Sequence, residues 1–176
     1  MKKVKVAELK KYLAEHSEAE LREEILRLFS KIKQVQDYYA QELMSPEERQ
    51  YILVEYKKKV DSCFYTRTGN PKIPQKAKLR ALIKEFEDIA VAKIDVVDLV
   101  LYRVEQTIQL ADKYGGLGDN DYSAAVSAYT KALKMITTEK LEPYFEDRCR
   151  GIIDGRRNFD YYFAEALENL TEEYLG

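Results

Sequence analysis

The chain has 176 residues, of which 45% are hydrophobic and 34% charged, and its formal net charge is −2. That balance suits one folded domain with its own core, because a chain of this size removes roughly 70% of its unfolded surface from water. It excludes a disordered or membrane-type composition, and it is not the overall basicity usual in a dedicated nucleic-acid domain. Seven glycines and four prolines are few, which favours long regular elements over a loop-rich β fold.

The first segment, "MKKVKVAELKKYL", carries charges as far as Lys11, so no secretory signal is expected. Helices are predicted near 5–15 and 18–32, the second opened by "SEAE", a capping box with Ser17 as N-cap and Glu20 at N3. A short helix near 35–43 follows. "SPEE" at 45–48 repeats the capping-box pattern, with Pro46 at the first helical position, and starts a helix over 46–65. Its stripe is Leu53, Tyr56, Val60, Cys63 and Phe64. "TRTGNPKIP" at 66–74 reads as the one long loop. A helix at 75–90 then places Leu79, Leu82, Ile83, Phe86 and Ile89 on one face.

The helix predicted at 95–114 is apolar on more than one side through Val96, Val97, Leu99, Val100, Leu101, Val104 and Ile108. A helix without a wide polar face is covered by neighbours on several sides, so this one is expected at the centre. Lys93, Asp95 and Asp98 interrupt the apolar run 89–102, so it cannot span a bilayer. Stripes at 121–137 (Tyr122, Ala125, Val126, Tyr129, Ala132, Leu133, Ile136), 140–154 (Leu141, Tyr144, Phe145, Cys149, Ile152, Ile153) and 158–174 (Phe159, Tyr162, Phe163, Ala166, Leu167, Leu170, Tyr174) complete the chain. No strict alternation argues for a strand. The expected fold is all-α, with eight to nine helices packed as antiparallel hairpins, either a bundle or a short solenoid-like array around 95–114. A single domain over 1–176 is expected, with a candidate division into 1–65, the loop 66–74, and 75–176.

The glycine-rich stretch "DKYGGLGDND" at 112–121 invites a ligand reading. It follows a helix, it matches no nucleotide fingerprint, and Asp119 and Asp121 would repel a phosphate. Asp112, Asp119, Asn120 and Asp121 lack the alternation of a calcium loop. A turn accounts for every residue: Gly115 or Gly116 ends one helix in the left-handed conformation, and Asp119 or Asp121 caps the next.

Candidates for chemistry are few. His16 is the only histidine, and no zinc or di-iron spacing accompanies it. Cys149 is flanked by Arg148 and Arg150, which can favour a thiolate, yet it continues the stripe from Phe145 to Ile152. Cys63 also falls on a stripe, so both thiols are expected to be free and buried, as suits a cytoplasmic protein. No catalytic, cofactor or metal residues are assigned, and no enzyme activity is expected.

Charge is segregated along the chain. Residues 57–84 hold Lys57, Lys58, Lys59, Arg67, Lys72, Lys76, Lys78, Arg80 and Lys84 against the single acid Asp61, whereas 139–176 is acidic on balance. With Tyr56, Phe64 and Tyr65 interleaved, the basic stretch has the composition that grips single-stranded nucleic acid. Solvated lysines, or lysines neutralised by the acidic C-terminal helices, are the favoured explanation, since a dedicated nucleic-acid domain is usually basic overall. The hairpin spacing of 4–29 is similar to a SAP-type DNA-binding module, but "SEAE" replaces that family's glycine and lysine. Residues 121–133 are similar to the second half of a tetratricopeptide repeat whose first half is missing.

Taken together, "ELKKYLAEHSEAELREEILRLF" (8–29), "VQDYYAQEL" (35–43), "DKYGGLGDNDYSAAVSAYTKAL" (112–133) and "RCRGIIDG" (148–155) resemble an uncharacterised bacterial helical family, the domain-of-unknown-function family 6155. The resemblance runs from near residue 5 to the end. It implies an all-helical fold and carries no site residues. The leading expectation is therefore a non-enzymatic protein-interaction module, with Tyr38, Tyr39 and Tyr161 as candidate contact anchors. Nucleic-acid or acidic-partner binding through 57–84 is the alternative, with Lys57, Lys58, Lys59, Arg67, Lys72, Lys76, Lys78 and Arg80 as candidate contacts. A small-ligand pocket near Arg103, Glu105 and Gln109 is a third expectation.

Overall fold

The computed structural model describes residues 4–90, 92–154 and 161–176. Its elements are α1 (Val6–Ala14), α2 (Glu18–Lys31), α3 (Lys33–Glu42), α4 (Pro46–Phe64), α5 (Lys76–Ile89), α6 (Lys93–Tyr114), α7 (Asp119–Glu139), α8 (Glu142–Asp154) and α9 (Tyr161–Leu175). The fold is all-α, as the periodicity predicts. The only extended pairing among the described residues is an isolated bridge between Tyr65 and Pro71. The predicted start of the last helix near 158, and Phe159 on its stripe, lie outside the described residues.

Two compact units divide the chain, one ending at Leu43 and the other running Met44–Gly176. In the first, α2 and α3 pack together, with Phe29 and Tyr39 edge to face at 6.2 Å, and Tyr12 of α1 donates its hydroxyl to Glu24 of α2 at 3.4 Å. The loop at 66–74 lies inside the second unit. Its backbone turns back on α4, where Lys72 N–H donates to the Phe64 carbonyl and Gln75 N–H to that of Cys63.

Both capping boxes form. Glu20 N–H donates to Ser17 Oγ while the Glu20 carboxylate accepts from Ser17 N–H at 2.8 Å, and Ser45 and Glu48 repeat the exchange. Helix α6 is the centre of the second unit, with twelve of its 22 residues buried, so no broad face remains for solvent. Helices α4 and α5 are antiparallel: Tyr56 stacks on Phe86 while Ser62 accepts from Lys78 at 3.4 Å. Helices α6 and α7 form the next hairpin, α8 and α9 the last.

Cross-contacts fix how the hairpins stack. Lys57 meets Asp98 and Asp61 meets Tyr102, so α4 and α6 run in the same direction. Lys76–Asp121 and Glu87–Lys131 do the same for α5 and α7, as Tyr122–Phe163 and Tyr129–Thr171 do for α7 and α9. The unit is a short array of hairpins with α4, α6 and α8 in one layer and α5, α7 and α9 in the other. Every residue predicted for the α4 stripe is buried, as are the seven named on α6. Tyr144 and Tyr162, placed on apolar stripes by spacing, are instead 68% and 81% exposed, because each lies at the edge of its helix's buried arc.

A polar seam joins the first layer. Arg148 of α8 reaches two acids on α6, Glu105 at 2.7 Å and Asp98 at 2.6 Å, and Asp98 also takes Lys57 of α4 at 2.8 Å. Burial disfavours the Arg148 charge, but the bonds to both carboxylates outweigh it and hold the guanidinium above its ordinary value. Arg148→Ala is expected to lower stability in urea unfolding by about 2–3 kcal/mol, since charged hydrogen bonds are lost and two acids remain half-buried. Lys58→Ala, which removes an exposed pair with Glu55, should leave the midpoint where it is.

Asp61 offers a pH signature. Its carboxyl lies above the ordinary value because burial disfavours the charge, while the Tyr102 hydroxyl, donating at 2.7 Å, pulls it back. The folded value exceeds the unfolded one, so ionisation of Asp61 weakens the fold as pH rises between them. Tyr102→Phe removes the donor that serves the ionised form. The substitution is expected to cost about 1 kcal/mol near neutrality, and that penalty should shrink once acid protonates Asp61. Urea midpoints across the acid range check this.

Candidate functional site

The nine cations of 57–84 do not share one face. Lys57, Lys58 and Lys59 are consecutive, so each points about 100° from the last around α4. Lys57 is held by Asp98, Lys58 by Glu55 at 2.6 Å, and Lys59 lies 3.9 Å from the Tyr56 ring centroid. Arg67 and Lys72 border a shallow depression of about 480 Å3 with Lys58, Asp61 and Tyr65. Lys78 points back to Ser62. Tyr56 and Phe64 are buried in the core, so neither offers an open ring for a base to stack on. Among the described residues the stretch's carboxylate partners are Glu55, Glu85, Asp98 and Asp121, none of them in the acidic C-terminal helices.

What the fold does gather is a groove of about 520 Å3 between α5 and α7, floored by α6. Spacing explains the α5 wall, since Lys76, Arg80 and Lys84 form one i, i+4, i+8 row. Ala124, Ser127, Ala128 and Lys131 form the α7 wall, and Val100 and Arg103, one turn apart, form the floor. An ion pair closes each end: Lys76 with Asp121 at 2.9 Å, and Lys131 with Glu87 at 2.6 Å.

Arg103 is the unusual member. It is only 9% exposed, and among the described residues its hydrogen bond is a long 3.4 Å donation from Nη2 to the Ala124 carbonyl. No carboxylate among the described residues pairs with it. Burial, and after it the neighbouring Arg80 charge, hold its guanidinium below the ordinary value. A buried charge is normally paired. Arg80 and Lys84, both exposed, likewise form no ion pair among the described residues, so three cations face this groove without a described counter-charge of their own.

Helix α5 adds a second irregularity. Its cations Lys76, Lys78 and Arg80 fill the first turns, and Glu85, Glu87 and Asp88 fill the last. Both ends oppose the helix dipole, which favours acids at the start and bases at the finish. The like-charged row Lys76–Arg80–Lys84 is also unfavourable in an isolated helix. Local rules broken in this way concentrate at functional sites.

The other sequence candidates fall elsewhere. Glu105, two residues from Arg103 and about 200° around the helix, holds Arg148, while Gln109 is exposed; the three do not converge. In the glycine turn, Gly115 takes the left-handed conformation at φ 70° and ends α6. Asp119 and Asp121 do not cap α7 as predicted: Gly118 is the N-cap without a side-chain bond. Both acids instead lie in the first turn, where they suit the dipole, and Asp121 is engaged by Lys76. The Tyr122 hydroxyl accepts from Leu117 N–H at 3.0 Å and fills the turn. Cys149 is fully buried, and burial pushes its thiol up to about 11, opposite to activation by the flanking arginines. Among the described residues no three acidic, histidine or cysteine side chains gather as metal ligands, and no helix is long and apolar enough to cross a membrane.

A model of a family of unknown function, DUF6155, matches residues 4–174. The chain belongs to that family. No curated protein and no solved structure matches it. The DUF6155 match covers both compact units and every wall of the groove, so the site lies within the family's own fold rather than in an appended segment.

Arg103 was open to detection in the sequence as the one cation inside the apolar run 96–104. Arg103→Met keeps the chain length and removes the uncompensated charge, so stability is expected to hold or rise by about 1 kcal/mol. A loss of about 2 kcal/mol in urea unfolding would reveal an anionic partner inside the fold.

Proposed function

We propose that this chain is a non-enzymatic protein-interaction module that receives an acidic segment of a partner protein in the α5–α7 groove. The observation that carries the reading is Arg103, nine-tenths buried on the groove floor with no carboxylate beside it. An incoming anion would supply what the fold withholds, in a site where low dielectric strengthens the attraction. Arg80 and Lys84 at the rim would steer acidic segments from solution.

A neighbouring depression between α7 and α9 extends the surface. It is lined by Ser123, Val126 and Ser127 on one side and by Tyr162 and Ala166 on the other, and it shares Ser127 with the basic groove. Tyr162, 81% exposed, offers an aromatic contact of the kind that anchors interfaces. A partner segment crossing α7 would meet cations first and an aromatic ring second. Two buried cysteines kept as thiols fit a cytoplasmic setting.

An acidic protein segment fits better than a nucleic-acid strand. Glu87 and Asp88 stand on the groove's own wall, so a continuous phosphate backbone would meet like charge, and the aromatics near Lys57–Lys59 are committed to the core. A fluorescently labelled peptide carrying one or two glutamates among neutral residues is expected to bind, more weakly as salt rises. The double reversal Arg80→Glu with Lys84→Glu should abolish binding without lowering the urea midpoint. Equal binding by that variant, or none by the natural chain, would refute the reading.

A further inference from the structure

The floor of the groove has a charge complement more particular than general basicity. Lys76 is answered by Asp121 and Lys131 by Glu87, which leaves Arg80, Lys84 and Arg103 against Asp88 alone. The uncompensated charge is close to two positive units. A glutamate or aspartate brings one negative charge, whereas a phosphoryl monoester brings nearly two near neutrality, together with three acceptor oxygens. Arg103 on the floor and Arg80 on the α5 wall line the same groove. Two guanidiniums held in that way are suited to the oxygens of one tetrahedral anion, because the planar fork donates in pairs.

The surroundings fit the rest of such a group. Ile83, Val100 and Ala128 line the groove beside the cations and would take the aliphatic part of a modified side chain. Ser127 adds a hydroxyl from the α7 wall. The two end pairs and Asp88 bound the cationic stretch, so it suits one isolated phosphoryl group better than a run of them.

Resting on the acidic-partner reading above, we infer that Arg103, Arg80 and Lys84 form a seat for a phosphoryl group, so that the partner protein is recognised in its phosphorylated form. Arg103 holds the anion at depth, and Arg80 and Lys84 close over it from the rim.

The test uses the full chain and three versions of one short acidic peptide, carrying serine, glutamate or phosphoserine at its centre, titrated by fluorescence anisotropy. The phosphoserine peptide is expected to bind about ten-fold more tightly than the glutamate peptide, the difference one added charge-assisted bond can make. Arg103→Met should bring the two to equal affinity while the rim still binds both. The preference should also fade below about pH 6, where the phosphoryl group takes up its second proton. Inorganic phosphate, at constant ionic strength, should raise the melting temperature of the natural chain and not of the Arg103→Met variant; acetate should raise neither. Equal affinity for the phosphoserine and glutamate peptides would overturn the phosphoryl seat and leave the acidic-partner reading standing. Failure of all three peptides to bind would overturn both. Tighter binding of an oligothymidylate than of the phosphoserine peptide, lost in Arg103→Met, would replace the phosphoprotein with nucleic acid.

Discussion

Helix α6 has almost no side to give to water, and the rest of the second unit follows from that. Val96, Val97, Val100, Leu101, Val104 and Ile108 point in several directions around the helix and are all essentially inaccessible. One flanking helix cannot cover such a cylinder. Packing against α4 in its own layer and against α5 and α7 in the other, with the Arg148 seam from α8, is what turns a set of hairpins into two layers. The buried Tyr129 hydroxyl then ties α7 to Thr171 of α9 at 2.6 Å, extending the second layer by one more helix.

Any charge on a covered helix has to be answered. On α6, Asp98 and Glu105 are answered by Lys57 and Arg148, so the seam with α4 and α8 is neutral and directional. Arg103 faces the opposite layer, and no carboxylate among the described residues answers it. The contrast is informative because both sets of residues sit on the same helix, less than three turns apart. A fold that supplies counter-charges at two positions has the means to supply one at a third. An aspartate at Ser127 or Ala128 would lie on the same groove wall, where the chain instead carries a small side chain.

Elements were legible in the sequence because helical periodicity and capping are local. The α4 stripe and the Ser17 and Ser45 boxes need only residues within a turn of one another, and each is present as read. Charge was legible in amount and not in direction. Residues 57–84 span two antiparallel helices and a returning loop, so a single cluster in the sequence is sent toward α6, toward solvent and toward the groove. The pairing of Lys76 with Asp121 and of Lys131 with Glu87 depends on α5 and α7 running side by side, a fact that no window of residues contains. Arg103 was visible as an intruder in an apolar run. That no carboxylate among the described residues pairs with it became visible only once the neighbours of α6 were in place.

The reversed electrostatics of α5 belong to the same account. Left to itself, the helix would gain from exchanging its basic start for its acidic end. Within the array, that exchange would place acids beside Arg103 and bases beside Lys131, neutralising the groove at the first position and repelling at the second. The present order keeps the Glu87–Lys131 clamp at one end of the groove and leaves positive potential at the floor. An anion seated there would relieve both strains together, offsetting the buried guanidinium and the like-charged row on α5. On the proposed reading, binding energy would come from a deficit built into the unliganded fold, so the groove would distinguish anions by charge before shape.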